Sequence, residues 1–293
     1  MNSFARSDLA AECGGEEIKG TSVRRSESGG CDILHVQIRT EGAASAFRKP
    51  IGRYVTVDCG EIGALGEQEM GRVKCALGVE IREMAERMCG KRVSSDFSLL
   101  AVGLGNADVT PDAVGPVTLK HLAVTRHLRE VGDALLFPET GLCEIAALTP
   151  GVLGQTGIRA QELVRAAVSE LHPDLVIAVD SLAARSVERL ARTVQLADSG
   201  ISPGSGLGKA SVALNRESVG VPVMALGVPT VVDSSALVVD ALAKMGIREA
   251  RDEVRGLLER GGDFFVAPKE IDLLVERAGL LLARGLEKAF TVV

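Results

Sequence analysis

The chain has 293 residues, 46% of them hydrophobic and 25% charged, with a formal net charge of −6. That length and apolar fraction suit one large α/β unit with a core and a polar surface. The acidic balance argues against a polyanion such as nucleic acid as principal ligand, and no apolar run reaches the roughly 18 residues that a membrane span requires.

Residues 1–30 are polar and rich in Gly and Ser, with no apolar h-region, and are expected to be poorly ordered or only tethered to the rest. The cysteines at 13, 31, 59, 75, 89 and 143 show neither CxxC nor a Cys/His zinc spacing, so they read as free thiols. Ile33 to Arg39 and Tyr54 to Cys59 read as short strands, with the polar stretch Ala43 to Pro50 as a loop between them. Between Glu67 and Met88 the residues Met70, Val73, Leu77, Ile81, Met84 and Met88 recur at helical spacing. Phe97 to Leu104 is an apolar run of strand length that breaks into a loop carrying Asp108 and Asp112, and a helical segment follows Pro116.

Farther on, Cys143 to Leu148 is a strand leading to a Pro- and Gly-containing turn, and Val164, Ala167, Val168 and Leu171 mark one helical face. Leu175 to Val179 is a buried-strand run entering Asp180, while Arg192 to Ala197 and Pro222 to Val232 supply further strands. A last helix after Pro268 carries Ile271, Leu274, Val275, Ala278, Leu281, Leu282 and Leu286 on one side. Apolar strands alternating with helices predict an α/β fold whose sheet is mostly parallel and flanked by helices.

Two glycine-rich loops invite a phosphate reading, and both fall short. Asp108 takes the third glycine position of a dinucleotide fingerprint begun by Gly103 and Gly105, and its carboxylate would repel a pyrophosphate. In Gly204 to Ala210, a P-loop pattern lacks its first glycine, because Pro203 stands there, and Ala210 replaces the Mg²⁺-binding hydroxyl. No GxSxG elbow occurs, and none of the four histidines is tied by sequence to Ser181 or Ser186. A metal set drawn from Asp112, His127, Asp180 and Asp198 has the right donor types but no recognised spacing.

The remaining constellation is a pair of carboxylates. Asp112 follows one apolar strand and Asp180 ends another, so a parallel sheet would set both on the same rim. The interval between them accommodates two strand–helix units, which allows neighbouring strands. Two carboxyl groups held close share a proton, so one can activate water while the other polarises a carbonyl or protonates a leaving amine. Each Asp could equally be a helix cap.

Gly103-Leu104-Gly105-Asn106, Val109 to Pro116, Val124 to Leu128, Pro150 to Ile158, Ile177 to Ser186, Asp198 to Gly206, Gly227 to Asp233 and Pro268 to Asp272 together resemble the spore germination protease family. The resemblance runs in family order over nearly the whole chain. It implies an endopeptidase of small acid-soluble spore proteins, with an α/β fold similar to hydrogenase maturation proteases. It further implies a homotetramer made as a self-processing zymogen, acting in the cytoplasm of the forespore or spore core. No cofactor or metal is expected, nor any direct nucleic-acid or membrane partner. The family's proposed catalytic aspartates fall on Asp112 and Asp180. Arg6-Ser7-Asp8-Leu9-Ala10-Ala11-Glu12 resembles its processing sequence, which implies self-cleavage between Asp8 and Leu9, a propeptide of residues 1–8 and a single protease domain over 9–293. The chain departs from the family pattern at Ala107 and Asp108 and is short between Asp240 and Pro268. A metal-dependent peptidase, or a spore-protein-binding member that does not cut, is the alternative.

Overall fold

A computed structural model describes residues 7–12, 18–130, 141–202, 212–246 and 264–292. The P-loop-like stretch Gly204 to Ala210 and the first six residues of the expected propeptide lie outside them. Among the described residues, nine strands join in one sheet: β1 (Thr21–Ser28), β2 (Cys31–Ile38), β3 (Gly52–Asp58), β4 (Ser98–Gly103), β5 (Glu144–Leu148), β6 (Leu175–Ala184), β7 (Thr193–Ala197), β8 (Val223–Asp233) and β9 (Phe265–Val266). Their lateral order is β1-β2-β3-β7-β8-β6-β4-β5, with β9 pairing β8 beside it. The helices are α1 (Glu41–Phe47), α2 (Glu67–Cys89), α3 (Val114–His121), α4 (Arg126–Glu130), α5 (Leu153–Thr156), α6 (Ala160–Leu171), α7 (Arg216–Val219), α8 (Ser234–Lys244) and α9 (Ile271–Ala289).

The mostly parallel sheet expected from the alternation of elements is not what forms. Pairs β4–β5, β4–β6 and β6–β8 are parallel, whereas β1–β2, β2–β3, β3–β7, β7–β8 and β8–β9 are antiparallel, so the sheet is mixed. One contribution is local. Ser28 pairs Cys31 across Gly29-Gly30, whose φ angles of 59° and 78° fit a tight two-residue hairpin turn. That hairpin turns part of the supposed N-terminal tether into β1, an edge strand whose polar residues face solvent. The expected loop after β2 also differs. Thr40 caps α1 by accepting from the Ala43 N–H, and Phe47 of that helix is buried.

The parallel half matches the sequence pattern. Along β4, Leu99 and Ala101 join one buried cluster with Leu77, Ile81, Leu281 and Leu282, from α2 and α9. Leu100 and Val102 point the other way, into a cluster with Val164 and Val168 of α6. Covering both faces removes every side chain of β4 after Ser98 from water, each large one contributing about 1.5–3 kcal/mol. The helical stripes on α2, α6 and α9 bury the residues their periodicity selects, namely Val73, Leu77, Ile81 and Met84, then Val164 and Val168, then Val275, Ala278 and Leu286.

Two features of this half position the acidic residues. Strands β4 and β6 are direct neighbours, and Leu104 N–H donates to the Val179 carbonyl where β4 ends. β6 does not stop at Val179 as the sequence suggests. It pairs β8 as far as Ala184, with an irregularity between Leu182 and Ala183, so Asp180 lies inside a strand that outruns its neighbour β4.

Candidate active site

Asp112 closes a 3₁₀ turn, Thr110–Asp112, and its Oδ2 accepts from the Asn106 backbone N–H at 2.8 Å. The loop curls tightly enough for this because residue 105 is glycine. Gly105 has φ +101°, and a Cβ there would stand 1.9 Å from the Asp112 carbonyl oxygen. A second tie comes from the sheet: the Thr230 hydroxyl donates to the Pro111 carbonyl at 2.6 Å. Asp108 is exposed and accepts from Gln155 Nε2 at 2.9 Å, joining this loop to the turn after β5.

Asp180 is 7% exposed, and its Oδ1 accepts from the Ser181 N–H at 2.9 Å. Ser181 Oγ in turn accepts from the Val114 N–H at the start of α3. Burial drives the Asp180 carboxyl well above the usual aspartate range, with the charges of Asp112 and Asp8 adding to the rise. Burial also raises Asp112, although the Asn106 N–H partly offsets it. Both residues line one cleft of about 580 Å³ together with Asp8, Lys49, Gln195 and Thr230. Both carboxyls are raised, Asp180 by its fuller burial and by the neighbouring charge of Asp112, so the two titrate as a coupled pair.

The chain's own N-terminal segment borders this cleft, with Asp8 forming part of its lining. Asp8 donates its N–H to the Ala183 carbonyl at 2.8 Å, and its Oδ2 receives the Ala183 N–H at 2.9 Å. Lys49 Nζ stands 3.9 Å from the other Asp8 oxygen. Leu9 is fully buried against Leu182, Ala184, Val232 and Ala236, and Ala10 packs among Val36, Phe47 and Tyr54. Glu12 accepts from the backbone N–H groups of Arg185 and Ser186 at 2.7 and 3.0 Å. The Asp8–Leu9 bond is held from the far side by Gln195, whose Nε2 donates to the Asp8 carbonyl at 2.6 Å.

The hypothetical metal set does not assemble, because Asp112 and Asp180 share the cleft while His127 and Asp198 do not line it. Asp198 Oδ1 accepts from the Arg53 N–H at 2.7 Å. His127 is exposed on α4, which begins where Thr125 N–H bonds Ile145 near the amino end of β5, away from the carboxyl rim. Among the described residues, no group of three or more His, Cys, Asp or Glu is gathered as a metal site. No described helix is long and apolar enough to cross a membrane. The sequence singled out Asp112 and Asp180, and the resemblance Asp8 and Leu9, while Lys49, Gln195 and Thr230, which line the same cleft, went unnoticed. For Gln195 a signal existed, since it is the one amide in the buried strand Thr193–Ala197.

Comparison with known proteins identifies the family of the chain. A family model described as germination protease matches residues 4–255. The germination protease of Clostridium perfringens is 37% identical over 279 residues, covering 88% of this chain and 83% of that protein. That of Caldanaerobacter subterraneus subsp. tengcongensis is 37% identical over 313 residues, covering 97% and 93%. That of Priestia megaterium is 41% identical over 226 residues, covering 77% and 60%. The matched span takes in Asp8, Asp112, Asp180 and Gln195 alike, and the chain belongs to the germination protease family.

Proposed function

We propose that this peptidase hydrolyses small acid-soluble spore proteins, and that Asp112 and Asp180 together carry the reaction. The supporting observation is that Asp8 lines the same cleft as both aspartates and stands close enough to raise the Asp180 carboxyl. In this reading residues 1–8 are a propeptide, residues 9–293 are the protease domain, and the zymogen removes its own N-terminus at Asp8–Leu9. The assembly is a homotetramer in the cytoplasm of the spore core, as the resemblance implies.

The chemistry follows from the unequal burial of the pair. Ionised Asp112 takes a proton from a water molecule as the water oxygen bonds to the carbonyl carbon. Asp180, holding its proton, delivers it to the leaving amine as the C–N bond breaks. The products are a carboxyl terminus at Asp8 and a free amine at Leu9. Asp112 then carries the proton and Asp180 lacks one, and a single transfer between them restores the starting state.

The test is incubation of the purified protein with a small acid-soluble spore protein, alongside Asp112→Asn and Asp180→Asn, each with and without a chelator. Cleavage by the native chain, unaffected by chelation and abolished in both folded variants, is the expected outcome. Full activity in either variant rejects the pair, and chelator-sensitive activity restored by metal ions replaces it with a metallopeptidase. Binding without cleavage by the native chain would mark a non-catalytic member.

A further inference from the structure

Gln195 occupies a defined place relative to Asp180. In the sheet it pairs with Gly227 of β8, and Gly227 pairs on its other side with Asp180 of β6. Residues directly opposite one another across a sheet project to the same face, and adjacent strands lie about 4.8 Å apart. Alternation agrees: the flanking Val194, Leu196 and Val179 all belong to the cluster on the opposite face. Gln195 and Asp180 therefore stand on one face, two strands apart, at about 10 Å. Gly227 between them adds no side chain, and Leu182 of β6 packs over it, where a Cβ would stand 2.7 Å from Leu182 Cγ. The Asp8–Leu9 segment lies against Gln195, within hydrogen-bond reach of its amide.

The Gln195 amide is anchored by two opposite partners. Ala10 donates its backbone N–H to Oε1 at 2.6 Å, and Nε2 donates to the Asp8 carbonyl at 2.6 Å. Because the first partner can only donate and the second can only accept, the orientation of the amide is fixed. One side chain thus spans the Asp8–Leu9 bond, holding its carbonyl oxygen and the next N–H but one along the chain. Gln195 is only 7% exposed, so a hydrogen bond there acts with little competition from water.

We propose that Gln195 is a catalytic residue of the cleavage reaction, donating from Nε2 to the carbonyl oxygen of the bond that is cut and setting the register of that bond through Oε1. This assignment rests on the reading of Asp8–Leu9 as a scissile bond. When water adds to the carbonyl carbon, the C=O π pair moves onto the oxygen that Nε2 holds. Collapse returns that pair and expels the amine, which takes up a proton. A donor aimed in advance at that oxygen favours the charged intermediate over the bound ground state.

A synthetic peptide with the sequence of residues 3–14 serves as substrate in trans, with mass-spectrometric self-cleavage of the full chain as a second assay. Native protein, Gln195→Glu, Gln195→Met and Asp180→Asn are compared. Gln195→Met and Gln195→Glu are expected to lower kcat about 10²–10³-fold, the usual effect of losing such a donor, with KM changed by only a few-fold. A kcat within threefold of native in either folded variant overturns the proposal while the aspartate pair survives. Failure of the native chain to cut the peptide or itself sinks the functional reading and Gln195 with it. Should the variants not fold, the native enzyme is assayed with a peptide whose Leu–Ala amide is an ester, which removes the N–H that Oε1 accepts. A loss of about tenfold in kcat/KM is then expected, and an unchanged value overturns the assignment.

Discussion

Thr230, 2% exposed on β8, donates its hydroxyl to the Pro111 carbonyl at 2.6 Å and so fastens the turn that carries Asp112 to the sheet that carries Asp180. Thr230→Val keeps the shape of the side chain and removes the donor. The expected cost is about 0.5–1.5 kcal/mol of stability, or a few degrees in Tm, together with a fall in kcat that exceeds it in proportion. Denaturant melts and peptide kinetics on the same preparation measure the two effects. Equal activity at lowered stability would show that the tie does not position Asp112.

Gly105→Ala is expected to be more severe. The backbone there is left-handed at φ +101°, and the added methyl would meet the Asp112 carbonyl oxygen at 1.9 Å. Relief requires the 3₁₀ turn to move, so the Asn106–Asp112 bond is lost as well. Strain of this kind costs on the order of 1–3 kcal/mol before the collision is added. Thermal unfolding of the purified variant, and its rate on the residues 3–14 peptide, test this.

The acid-buried Asp180 gives stability a predictable pH dependence. In the unfolded chain it ionises in the ordinary aspartate range, whereas in the fold burial, then Asp112, then Asp8 hold it protonated to higher pH. Its contribution is therefore fully present below the ordinary range and is lost as pH rises through the folded value. Asp180→Asn is expected to raise Tm at neutral pH, with the difference from native shrinking toward acid pH. Calorimetry across that range decides it, and a constant difference at every pH would contradict the assignment.

Lys49 faces the Asp8 carboxylate at 3.9 Å with both side chains mostly shielded from solvent. Lys49→Asp is expected to slow self-cleavage about tenfold and to shift preference toward peptides with Lys in place of that acid. Mass spectrometry of the N-terminus and competition between the two peptides give the readout. An unchanged rate and preference would remove Lys49 from recognition.

How much of this was legible in the sequence divides along chemical lines. Residues whose partners lie one helical turn or two strand positions away, such as Leu77 and Ile81 or Leu99 and Ala101, declared their environment through periodicity. The strand order did not, because the chain from β3 to β7 leaves and returns over the whole parallel half, and nothing local marks where it rejoins. The Gly29-Gly30 turn was a readable hairpin signal, masked by the polar composition that an exposed edge strand shares with a tether. In the site, Asp112 and Asp180 stood out because one follows an apolar strand and the other ends one, which sets both on the same rim of a parallel sheet. Lys49 and Thr230 did not, since their meaning depends on partners 41 and 119 residues away along the chain.

The five residues by which β6 outruns β4 also bear on what this enzyme can choose to destroy. Ala183 offers its N–H and carbonyl to a neighbour that the fold does not itself supply there, and Asp8 takes the place of one. Whatever chain settles on that ledge must arrive as slack, unpaired backbone over several residues. A compact protein keeps its own backbone groups engaged and would have to unravel first. In the function proposed above, selection at this edge begins with looseness: an unfolded polypeptide is exposed to cutting, while folded proteins bearing the same short sequence are passed over.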